Sequence, residues 1–110
     1  RQALTLALAI NELATNALKY GALSVPQGAV DLGWTGGRPG SDDPFRLLWA
    51  ESGGPPVASH AGKGFGSLII EEALAQDFMG ESVIRLDPEG LRCELHSRMS
   101  HLGAGQGAQA

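Results

Sequence analysis

The sequence predicts an α+β fold, a two-layer α/β sandwich in which helices pack on one face of a mixed, mostly antiparallel sheet. Two segments, residues 2–20 and 66–78, have the composition and spacing of helices. Four shorter segments read as strands and fall into two pairs, each joined by a turn-rich sequence. The resulting order is helix, strand, strand, loop, helix, strand, strand. Helices that fall between antiparallel pairs favour a single sheet covered on one face.

The first helix is predicted by a regular apolar stripe. Its members recur at intervals of four, three and four residues, and they are Leu6, Ile10, Leu13 and Ala17. This spacing puts them on one helix face. Alanine and leucine, which dominate the segment, are also strong helix formers. Gly21 follows Lys19 and Tyr20, so we expect the helix to end there, with a cation in its last turn.

The strands are predicted by alternation between turn-rich runs. Residues 29–35 and 45–51 flank a run dense in glycine, proline, serine and aspartate. Residues 82–86 and 91–97 are joined by Asp-Pro-Glu-Gly, a strong turn sequence. We expect one domain over residues 1–102. The glycine-rich tail, 103–110, lacks apolar periodicity, and we expect it to be disordered.

Composition excludes several classes of function. The chain has 110 residues, which allows one domain, and its net charge is −4 with only 8 lysines and arginines. No basic cluster is present, so we expect no nucleic-acid partner. No apolar run reaches about 18 residues, so we expect no membrane contact by this domain. Cys93 is the single cysteine, which excludes an internal disulfide and fits a cytoplasmic location.

The first helix carries a polar stripe that could bind a nucleotide. Glu12 and Asn16 are four residues apart and share a face, with Lys19 and Tyr20 one turn further on. The amide oxygen of Asn16 is a suitable ligand for Mg²⁺, and Lys19 could meet phosphate as a point charge. Tyr20 could stack on a base. The alternative is an ordinary solvated helix face.

Two glycine-containing segments extend this pattern. Glu51 ends a strand ahead of Gly53 and Gly54; its carboxylate could accept a hydrogen bond from an amino group such as that of adenine. The alternative is a strand end with a glycine turn. The second segment, residues 62–67, precedes a helix, and exposed amides at a helix start favour an anion. Its spacing matches neither a Walker loop nor a dinucleotide-binding fingerprint.

Together the three segments resemble the N box and the two glycine boxes of the histidine kinase and gyrase type of ATPase. In detail they are similar to the HWE group of bacterial sensor histidine kinases. The matching stretches are ELATNALKYGALS at 12–24, W-x-E at 49–51, GFGS at 64–67 and PEGLRCEL at 88–95. The resemblance covers residues from about 4 to 97.

The resemblance implies an ATP-binding catalytic domain of a two-component sensor histidine kinase, binding ATP or ADP together with Mg²⁺. It implies transfer of the γ-phosphate to a histidine on an upstream dimerisation and histidine-phosphotransfer domain absent from this chain. A response regulator would then receive the phosphate, and the full protein would be a homodimer.

The resemblance also implies roles for individual residues. Asn16 would coordinate Mg²⁺, Lys19 would approach phosphate, and Tyr20 would line the adenine pocket. Glu51 would contact the adenine amino group. Glu12 matches the position of a catalytic general base in related ATPases, and in a kinase it would orient or polarise the incoming histidine. The glycine-box residues that would line the nucleotide pocket are Gly53, Gly54, Gly64, Phe65, Gly66 and Ser67.

The chain departs from the group in two respects. Asn11 stands where the group has a histidine before the N-box glutamate, and the strands that precede this helix in the family are missing. These departures favour an alternative, a degenerate nucleotide-binding or interaction module without phosphotransfer. A third possibility is a serine-directed relative of the anti-sigma kinases, but W-x-E and GFGS favour the HWE group.

Overall fold

The computed structural model of the chain describes residues 1–56 and 65–103, and side chains in the second range from residue 68 onwards. Its helices and strands are α1 (Gln2–Lys19), β1 (Ala29–Thr35), β2 (Pro44–Ser52), α2 (Phe65–Asp77), β3 (Glu81–Asp87) and β4 (Gly90–Arg98). Two short 3₁₀ turns, Ala22–Ser24 and Met99–His101, follow α1 and β4. Every element predicted from the sequence is present, with ends that differ by at most one residue.

The four strands form one sheet in the order β1-β2-β4-β3. All three pairings among the described strands are antiparallel, so the α+β prediction is confirmed. β2 pairs with β4 rather than with the next strand in sequence, which places the β3–β4 hairpin beside the β1–β2 hairpin. Cys93 lies at the centre, opposite Trp49 on β2 and Ile84 on β3.

Strand alternation places the apolar residues on one face, where α1 and α2 cover them. The core combines residues of β2, β3 and β4 with one face of each helix. Its members are Ala9, Leu13, Ala17, Leu47, Trp49, Ile70, Leu74, Phe78, Ile84, Leu91, Cys93 and Leu95. Leu6 and Ile10, predicted to lie on this face, are partly buried against it. The two-layer arrangement follows from this packing.

The start of α1 is fixed against the end of α2. Asp77 accepts a hydrogen bond from the Thr5 hydroxyl and one from Arg1 Nε at 3.2 Å. These two donors, with Thr5 the stronger influence, lower the pKa of the Asp77 carboxyl. Gln2 is buried and donates to the Asp77 carbonyl oxygen at 3.0 Å. These bonds hold the first turn of α1 against the end of α2.

The outer face of α1 is also apolar. Leu4, Leu8 and Leu18 are exposed there, and Trp34 is exposed on β1 at the edge of the sheet.

Within residues 1–56, the first element is α1, so the strands expected before it are not part of the described chain. Neither described helix is long and apolar enough to cross a bilayer. Apart from Gly103, the predicted tail lies outside the described residues.

Candidate nucleotide-binding site

The carboxylate and the amide predicted on α1 are in contact. Asn16 Nδ2 donates a hydrogen bond to Glu12 Oε2 at 3.1 Å, as the four-residue spacing allows. Both side chains are half-buried. The bond uses the nitrogen of the Asn16 amide and so orients the group with Oδ1 as its acceptor end. An amide held in this way presents the oxygen that a magnesium ligand requires.

The other two residues of the stripe are at the end of α1 and are exposed. Lys19 is the last helical residue. Tyr20 follows as the C-cap, its backbone N–H bonded to the Asn16 carbonyl oxygen at 2.8 Å, and its side chain is 63% exposed. A ligand at this end of the helix can therefore contact both side chains.

Glu51 is buried at the end of β2, with only 6% of the residue exposed, and each of its carboxylate oxygens is hydrogen-bonded. Oε1 accepts the backbone N–H of Ala22 at 3.0 Å, and Oε2 accepts the indole N–H of Trp49 at 3.0 Å. Trp49 and Glu51 are two residues apart on a strand, so they project from the same face. The W-x-E spacing is therefore the spacing that permits the indole to donate to the carboxylate.

The Glu51 carboxylate retains acceptor capacity after these two bonds. An ionised carboxylate offers about four lone-pair positions. Donors within the described residues use two of them. A buried carboxylate with only part of its capacity used is suited to one more N–H donor. The exocyclic amino group of adenine is a donor of that kind.

The glycines around Glu51 allow close packing of the chain against itself. A Cβ on Gly21 would lie 2.3 Å from Glu51 Oε1, and one on Gly54 would lie 2.8 Å from Ala22 Cα. Gly53 has φ +71°, and a Cβ there would lie 2.6 Å from the Gln27 carbonyl oxygen. The first glycine box therefore packs on the loop that follows α1. Its approach to a nucleotide stays a prediction.

We call Gly21, Ala22, Trp49, Glu51 and Gly54 the glutamate hub. Three of its members were not predicted as site residues. Gly21 was interpreted as a helix end, whereas Ala22 and Trp49 entered the sequence analysis only as parts of the matching stretches 12–24 and 49–51. The period-two spacing of Trp49 and Glu51 could have indicated their bond, whereas nothing local indicates the contact of Glu51 with Ala22, 29 residues away.

Two of the three predicted segments thus meet in the structure. The loop after α1 is hydrogen-bonded to Glu51 and packs against Gly53 and Gly54. The end of the N box is therefore in contact with the first glycine box. The second glycine box is not placed relative to them. Gly64 lies outside the described residues, and Phe65, Gly66 and Ser67 begin α2 with side chains that are not described.

The opposite face of the sheet carries a charged cluster that the sequence analysis did not identify. Glu94 lies 2.9 Å from His96 Nε2, 3.2 Å from Arg85 and 3.3 Å from Arg46. The hydrogen bond from His96, and then the nearby guanidinium of Arg46, lower the pKa of the Glu94 carboxyl. These groups lie beside a shallow depression of about 560 Å³. None of the predicted site residues line this depression.

The fold and the joined motifs define an α/β sandwich with a polar helix end beside a buried strand-end glutamate. Comparison with known proteins identifies histidine kinases as relatives of this chain. The chain is 37% identical over 91 residues to the blue-light-activated histidine kinases of Brucella ovis and Brucella abortus, covering 83% of this chain and 19% of each relative. It is 34% identical over 100 residues to that of Brucella anthropi, covering 91% of this chain and 20% of the relative.

These matches show that the chain belongs to the sensor histidine kinases, with the motifs of the HWE group. It spans about a fifth of the length of the curated relatives it matches. No protein-family model matches the chain.

Proposed function

We propose that this chain is the ATP- and Mg²⁺-binding catalytic domain of a two-component sensor histidine kinase. It would transfer the γ-phosphate to a histidine on an upstream domain that this chain does not contain. The observation that carries the proposal is the bond between Glu51 and Ala22. It joins the strand end that would hold the base to the helix end that would hold metal and phosphate. Membership of the histidine kinases supports the same reading.

The base end of the site would be formed by Glu51 and the adjacent glycines. Glu51 would accept a hydrogen bond from the adenine amino group with a lone pair that the described residues leave unused. Gly53 and Gly54 have no side chains to obstruct a flat ligand near this strand end. Tyr20, exposed at the end of α1, would cover one side of the base.

The phosphate end would be formed by α1. Asn16 would hold Mg²⁺ through Oδ1, since its Nδ2 is already bonded to Glu12. Bound Mg²⁺ would supply the charge neutralisation that phosphoryl transfer requires. Lys19 would add a positive charge next to the phosphates. The second glycine box, Gly64–Ser67, would contribute backbone amides at the start of α2.

Glu12 would act on the accepting histidine. Its carboxylate is positioned by the Asn16 amide, and it would accept the N–H of the incoming imidazole. That bond would orient the other ring nitrogen towards the γ-phosphate. Partial exposure of Glu12 is consistent with contact from a second domain. A homodimer, a response regulator as acceptor and a cytoplasmic location belong to the same proposal.

A transfer assay tests this function. The chain is mixed with γ-labelled ATP, Mg²⁺ and the separately produced histidine-bearing segment of the same protein, and acid-labile label on that segment is measured. We expect transfer, and we expect Glu12→Gln to reduce it by about a hundredfold, a typical contribution of a positioned acid–base group. Glu89→Gln, at an exposed turn, is the matched control and should transfer normally.

A second candidate function is a nucleotide-binding module without phosphotransfer. The observation that favours it is Asn11, which occupies the position of the group's histidine and cannot titrate. ATP binding without label on the histidine-bearing segment, under conditions in which an active relative labels its own segment, would support this second function.

A further inference from the structure

Glu51 receives its two hydrogen bonds from donors of different kinds. Ala22 donates from the backbone of the loop after α1, whereas Trp49 donates from a side chain on the same strand as Glu51. Trp49 is 4% exposed and lies opposite Cys93 in the sheet. An indole held by core packing is a rigid donor, so it fixes the oxygen that it contacts.

Two fixed donors determine the plane of a carboxylate. One bond leaves the group free to rotate about the bond to Cγ, because either oxygen can satisfy a single donor. With Ala22 on Oε1 and Trp49 on Oε2, both oxygens have assigned partners and the plane is set. The direction of the remaining lone pairs is then set as well.

We propose that Trp49 is a positioning residue that aims the free lone pairs of Glu51 at the exocyclic amino group of a purine nucleotide. Trp49 thereby sets the preference for a base with an amino group over a base with a carbonyl at the same position. The inference rests on the proposed function, because it requires that Glu51 meets the base.

A merely structural role for Trp49 has a different signature. Loss of packing would weaken the binding of all nucleotides by the same factor, since it would disturb the whole contact between the loop after α1 and the end of β2. Loss of carboxylate orientation would weaken the binding of ATP. It would also reduce the penalty on ITP binding, because the ITP carbonyl would no longer be held facing the carboxylate. The ratio of the two dissociation constants therefore separates orientation from packing.

The test is calorimetric titration of the chain with ATP and with ITP, each in Mg²⁺, for the unmutated chain, Trp49→Phe and Trp34→Phe. Trp34 is the matched control because it is 69% exposed at the sheet edge. We expect the unmutated chain and Trp34→Phe to prefer ATP equally. Trp49→Phe should reduce this preference by about tenfold, the share of one hydrogen bond to a charged group.

The outcomes separate this inference from the proposed function. A folded Trp49→Phe with an unchanged ATP/ITP ratio overturns the inference while the proposed function stands. A folded unmutated chain that binds neither nucleotide overturns both.

Should Trp49→Phe fail to fold, the indole N–H resonances of the unmutated chain decide. We expect the Trp49 resonance to shift differently with ATP and with ITP while that of Trp34 stays unchanged. The same Trp49 response to both nucleotides overturns the inference.

Discussion

Replacement of Glu51 by glutamine changes one atom of the glutamate hub and has a calculable effect. The carboxylate accepts an N–H on each oxygen, from Ala22 and from Trp49, both at 3.0 Å. Glutamine keeps one oxygen and replaces the other with an NH₂ group, which is a donor. Whichever way the amide is turned, one buried N–H then faces another N–H.

The magnitude follows from the cost of an unmatched donor. One buried donor without an acceptor costs about 1–3 kcal/mol, so we expect Glu51→Gln to lower the free energy of unfolding by about 2 kcal/mol. In a domain of this size each kcal/mol lowers Tm by about 4–8 °C. Glu51→Ala removes both acceptors and should lower the free energy of unfolding by about 3 kcal/mol or more.

The assay is urea unfolding followed by far-ultraviolet circular dichroism, which does not depend on tryptophan. The double variant Trp49→Phe/Glu51→Gln completes a double-mutant cycle. Without the indole, the glutamine NH₂ can turn to where no donor opposes it, so the two losses should be less than additive by about 1 kcal/mol. Glu89→Gln at the exposed turn should change stability by less than about 0.5 kcal/mol.

Two results would contradict the hydrogen bonding described for Glu51. The first is a Glu51→Gln variant as stable as Glu89→Gln, which would mean that the carboxylate is not held by the two donors. The second is strict additivity in the cycle, which would mean that Trp49 and Glu51 do not interact.

Three further predictions concern the scaffold. Gly28→Ala should lower the free energy of unfolding in urea by more than about 2 kcal/mol, because its Cβ would lie 1.7 Å from the Ala22 carbonyl oxygen. Gly33→Ala is the control: it has open space around it, so it should change the free energy of unfolding by less than about 0.5 kcal/mol. Leu74→Ala should cost about 2–5 kcal/mol, since Leu74 is 0% exposed, and a loss under about 1 kcal/mol would contradict the core described. Glu94→Gln should reduce stability by about 1 kcal/mol at neutral pH. The folded pKa of Glu94 is lowered, so this contribution is present above the pKa of an unfolded glutamate and is lost as pH falls through the folded pKa. The unfolding curves of Glu94→Gln and of the unmutated chain should therefore converge in acid.

Much of the fold was accessible from local patterns. The stripe on α1 and the alternation on the strands depend on fixed periods, and they predicted the apolar face of α1 and the positions of the strands. The pairing of β2 with β4 was not predicted, because it joins strands on either side of α2 and β3. Local sequence specifies a hairpin, whereas the neighbour of a hairpin depends on packing across the whole sheet.

The candidate site was likewise predictable only where its contacts are local in sequence. Glu12 and Asn16 were predicted to share a face from their spacing, and their hydrogen bond agrees. The contact between Glu51 and Ala22 spans 29 residues and depends on how α1 lies over the sheet, so no local pattern could indicate it. Gly53 packs against the backbone of Gln27, and its approach to a ligand stays a prediction.

The proposed function requires that the end of α1 binds ATP through a magnesium ion. The most direct measurement is a calorimetric titration of the chain with ATP, with and without Mg²⁺, compared with Asn16→Ala and Asn11→Ala. Asn11 is the matched control because it is an exposed asparagine on another face of the same helix. We expect Mg²⁺-dependent binding that Asn16→Ala weakens at least tenfold and Asn11→Ala leaves unchanged. A folded chain that binds no ATP, or equal losses in the two variants, would contradict it.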